Sequence, residues 1–94
     1  MLLILDRLER LLAIAACEGI SVRCEWMGGI RGGLARVGRK PVLFVDESLS
    51  VPDQFDQVRN ALKQLDWTET DWSEEMNALL EINALERKEN QVMG

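Results

Sequence analysis

Residues 28–66 read GGIRGGLARVGRKPVLFVDESLSVPDQFDQVRNALKQLD, and this stretch decides the fold. Gly32–Val37 reads as a strand, Gly38-Arg39-Lys40 as a tight turn and Pro41–Val45 as a second strand. Two extended runs separated by only a few turn residues predict an antiparallel hairpin. Pro41 suits the first position of its strand, where the missing N–H costs least. Val42, Leu43, Phe44 and Val45 leave that strand without a polar face, so it is expected at the centre of the sheet with both faces covered.

A helix follows. Ser50 can cap it, Pro52 lies in its first turn, and Asp53 takes the third helical position of a capping box. Val51, Phe55, Val58, Leu62 and Leu65 then form one apolar stripe at helical spacing. Asp53, Gln54, Asp56, Gln57, Asn60 and Lys63 largely face away from it.

Working outward toward the N-terminus, Leu5, Leu8, Leu12 and Ala15 keep helical spacing, joined by Leu11 and Ala16. This predicts an amphipathic helix over about residues 2–18, ended by Gly19, a residue that takes positive φ without steric cost. Ile20, Val22, Cys24 and Trp26 then alternate with Ser21, Arg23 and Glu25, the period-two signature of a strand, until Met27-Gly28-Gly29 breaks it. Toward the C-terminus, Trp67 and a polar break over residues 68–71 precede a third helix, with Trp72, Met76, Leu79 and Leu80 on its apolar face.

The predicted order is α-β-β-β-α-α. It defines an α+β fold with a three-stranded, mainly antiparallel sheet and helices on one face. Residues 1–85 form a single domain in this reading, and the polar residues 86–94 form a frayed tail. A strand apolar on both sides then needs a second cover. Either the helices wrap both faces or a second subunit supplies it, and a two-fold homodimer is the commonest assembly.

Composition narrows the functions. The chain has 94 residues, no histidine and two cysteines. Without histidine, neither a Ser-His-Asp nor a Cys-His nucleophile system can form, nor any histidine-ligated metal site. Two cysteines alone make a poor zinc site and no disulfide scaffold, so Cys17 and Cys24 are expected as buried free thiols. No metal or cofactor is implied. The apolar start Met1–Leu5 is soon interrupted by Asp6, Arg7, Glu9 and Arg10, which suits neither a signal peptide nor a membrane span and points to the cytoplasm.

Net charge is −5, distributed as +3 over residues 1–45 and −8 over residues 46–94. The acidic half repels phosphate, which argues against nucleic acid as a partner. The basic group Arg31, Arg36, Arg39 and Lys40 around the hairpin has two readings. It could hold an anionic ligand, or it could be solvated charge that discourages edge pairing. The glycines at 28, 29, 32 and 33 lie between two strands, not between a strand and a helix, so they form a connection and not a phosphate cradle. Asp46 and Glu47 at a strand end could bind metal or act as bases, but acids at such positions commonly serve turns. Trp26, Trp67 and Trp72 read as core or interface anchors, and Leu43, Phe44 and Trp26 are the interface candidates.

Gly33-Leu34-Ala35-Arg36-Val37, Val42-Leu43-Phe44-Val45 and Ser50 through Phe55 resemble the hairpin–helix core of the zinc metallopeptidase-like proteins that cleave or control bacterial repressors. In that family the helix carries F-x-x-x-H-E-x-x-H. Phe55 takes the place of its phenylalanine, and the motif positions fall on Arg59, Asn60 and Lys63. Both metal-binding histidines and the general-base glutamate are therefore replaced. The resemblance, over residues 32–63, implies a metallopeptidase-like protein without the metal motif and without activity. The segment running from Gly32 to Asp46 is also similar to small uncharacterised bacterial proteins of about this length, which implies no particular activity. The sequence thus favours a non-enzymatic cytoplasmic protein that acts through protein–protein contact as a homodimer. A small anion-binding module is the alternative.

Overall fold

The computed structural model describes residues 3–29 and 32–81. Its elements are α1 (Ile4–Cys17), β1 (Ser21–Glu25), β2 (Gly33–Val37), β3 (Lys40–Asp46), α2 (Val51–Leu62) and α3 (Ser73–Glu81). This is the expected α-β-β-β-α-α order and an α+β fold. The tail expected over residues 86–94 lies outside the described residues.

The sheet order is β1-β3-β2, with β3 central as its apolar run requires. β2 and β3 form the expected antiparallel hairpin, with Leu34 opposite Leu43 and Ala35 opposite Val42. β1 departs from expectation: it runs parallel to β3, with Val22 opposite Leu43 and Glu25 opposite Asp46. The sheet is therefore mixed, one parallel pair and one antiparallel. The reason is topological. The chain leaves β1, skips one strand position to lay down β2, and the hairpin returns β3 into the gap. Strand alternation alone reports faces, not neighbours.

One face of the sheet is covered. Val22, Leu34, Leu43 and Val45 project toward the helices and pack with Leu8, Leu11, Ile14, Phe55, Val58, Leu62 and Met76. Phe55, Leu11, Leu43 and Leu62 are wholly inaccessible to solvent. The expected stripe of α2 holds this core: Phe55, Val58 and Leu62 are buried, with Val51 and Leu65 packed at its edges.

The helix ends follow their local signals. The Asp53 N–H donates to Ser50 Oγ at 3.3 Å, and Pro52 lies in the first turn of α2. At the end of α1, Gly19 has φ +87°, and the N–H of Ile20 donates to the Ala15 carbonyl at 3.0 Å. Thr68 donates through both its N–H and its Oγ1 to the Asp66 carboxylate, turning the chain from α2 toward α3. Trp67 is buried and donates its indole N–H to the Leu62 carbonyl at 2.9 Å. On the surface, the Arg10 guanidinium binds Glu75 in a fork and lies over the Trp72 ring, whose indole N–H donates to Glu18. These contacts dock α3 on α1.

Candidate functional site: the open sheet face and its crossing loop

Pairing across the sheet fixes which side chains share the second face. Ser21, Val42 and Ala35 form one row, and Arg23, Phe44 and Gly33 form the next. Glu25 and Lys40 stand on the same side as these rows. No described helix packs over this face: Ser21, Arg23, Glu25, Ala35, Val37 and Lys40 are all exposed. The apolar surplus of β3 is thus divided. Leu43 and Val45 enter the core, while Val42 and Phe44 belong to the uncovered side. Among the described residues, no helix covers the second face of β3.

Phe44 stands beside Gly33, which has no side chain, and a concavity results. It has a volume of about 550 Å³ and is lined by Glu25, Met27, Phe44 and the β2 segment from Gly32 to Ala35. Its floor is an aromatic ring among small residues. Its one carboxylate, Glu25, is held at 2.9 Å by Arg23 Nη2.

The loop that carries the chain from β1 to β2 must cross the end of β3, and Asp46 stands there. It is fully buried. Its Oδ1 accepts from the Met27 N–H at 2.8 Å, the Ser48 N–H at 2.9 Å and the Ser48 hydroxyl at 2.7 Å. Its Oδ2 accepts from the Gly29 N–H at 2.6 Å. Burial pushes this carboxyl upward, but the hydrogen bonds from Ser48, Met27 and Gly29 outweigh it and lower it from 3.8 to about 2. With these four hydrogen bonds Asp46 ties the loop to the end of β3.

Gln57 of α2 completes the tie. Its Oε1 accepts from the Asp46 N–H at 2.8 Å. Its amide lies so close to Gly32 that a Cβ there would come within 1.9 Å of Nε2. The φ of +148° at Gly32 already favours glycine, and a side chain there would also have to displace the end of Gln57. Sequence reasoning missed this pair. The Asp-x-Ser pattern at 46–48 could have suggested the turn, but nothing local announces that Gln57 reaches Gly32.

The other sequence candidates are dispersed. Leu43 is wholly buried on the helix side, so it is a core residue and not part of an exposed interface. Trp26, expected on the apolar side of β1, is 75% exposed. The strand has already ended at Glu25, which frees Trp26 from the alternation. Cys17 and Cys24 are both exposed, not buried as expected: one is at the last turn of α1, and the other lies on an edge strand. Burial and the nearby Glu47 push the Cys24 thiol upward.

The basic group does not gather at one point. Arg36 lines a separate groove on the helix side with Glu18, Asp66 and Trp67, whereas Lys40 stands on the open face and Arg39 in the turn. Arg31 lies outside the described residues. Of the residues at the metallopeptidase motif positions, Arg59 donates to the Leu80 carbonyl at 3.4 Å and lies 3.9 Å from Asp56, a link between α2 and α3. Asn60 and Lys63 are exposed. Among the described residues, no group of three His, Cys, Asp or Glu side chains could hold a metal ion, and no helix is long and apolar enough to cross a membrane.

Comparison of the chain with protein-family models, with characterised proteins and with solved structures found no match in any of the three.

Proposed function

We propose that this is a non-catalytic cytoplasmic protein that works through protein–protein contact, as a homodimer closed across the open sheet face. The observation that carries this reading is the division of β3. Helices bury Leu43 and Val45 on one side, while Val42, itself buried, and the half-buried Phe44 lie on the face that no described helix covers. Apolar side chains on a face that no described helix covers, rimmed by polar residues, fit an interaction site. The rim is self-complementary. Arg23 and Glu25 are adjacent on β1, so a two-fold axis over the sheet would exchange their pairing within one copy for pairing between copies. The absence of histidine from the sequence and the four hydrogen bonds accepted by Asp46 support contact over catalysis.

Size-exclusion chromatography with light scattering tests this. The expected outcome is a dimer at micromolar concentration, converted to monomer by Phe44→Glu, which places a charge in the centre of the face. A wild-type chain that stays monomeric through the high micromolar range would refute the reading.

A further inference from the structure

We draw no further inference here: the strongest candidate, the concavity of about 550 Å³ between Phe44 and the Gly32–Ala35 segment on the open sheet face, belongs to the site already described, and nothing in the structure shows what covers it.

Discussion

Asp46 shows how one side chain can replace a missing strand neighbour. The crossing loop has backbone N–H groups with no ladder to join, and the N–H groups of Met27 and Gly29 are directed at the two Asp46 oxygens. The folded-state pKa lies below the unfolded value. The stability this carboxylate contributes is therefore fully present above pH 3.8 and is lost as pH falls through about 2. Asp46→Asn should melt at lower temperature than wild type at neutral pH, since an amide cannot accept from all of these donors. The gap should narrow as the pH is brought from 3.8 toward about 2, and thermal melts over that range measure it. A gap independent of pH would show that charge is not what holds the loop.

Gly32 poses a sharper residue-scale case, with φ +148° and Gln57 in the space a side chain would take. Gly32→Ala forces Gln57 away and frees the Asp46 N–H, at a cost of about 1–3 kcal/mol in urea denaturation. In a Gln57→Ala background the added cost should shrink, because the clash is gone. Equal costs in the two backgrounds would separate Gly32 from Gln57.

At the scale of the element, α2 and β3 were the most legible parts of the chain. Ser50, Pro52 and Asp53 mark the helix start, and the stripe from Val51 to Leu65 faces the core. Ser50→Ala should cost about 0.5–2 kcal/mol and Ser50→Gly only a few tenths, read from denaturation midpoints. An unchanged midpoint in Ser50→Ala would mean that the hydroxyl accepting from Asp53 contributes nothing. β1 was half legible. Its alternation located a strand, but not the exposure of Trp26 and Cys24. Alternation records two faces. Whether the second is wet, and where a strand stops, depends on what packs beside it. Cys17 was misread for a related reason: it follows the buried Ile14–Ala15 pair on α1 but lies past the stripe that meets α2 and β1.

At the scale of the molecule, the placement of β1 was beyond the sequence. Hairpin formation is local, so the turn at Gly38 fixes the pairing of β2 with β3. The parallel pairing of β1 with β3 joins residues far apart in the chain, and no local pattern selects it over an antiparallel edge. The same holds for the open face. The sequence exposed the surplus of apolar residues on β3 but could not say which side the helices would leave uncovered. It also read the four basic residues as one group, whereas the alternation of the hairpin sends Arg36 and Lys40 to opposite faces.

The sequence by itself determined the order of the elements, the central place of β3, the core stripe of α2 and the exclusion of histidine chemistry. All of these depend on spacing, turn chemistry and composition, which are local or additive properties. Only the tertiary structure decided that β1 pairs in parallel, that Asp46 and Gln57 tie the crossing loop, and that Phe44 and Gly33 form a pocket one residue from Trp26. Each of these is a meeting of residues distant in sequence. Burial and hydrogen bonding become defined there only after the chain has closed on itself.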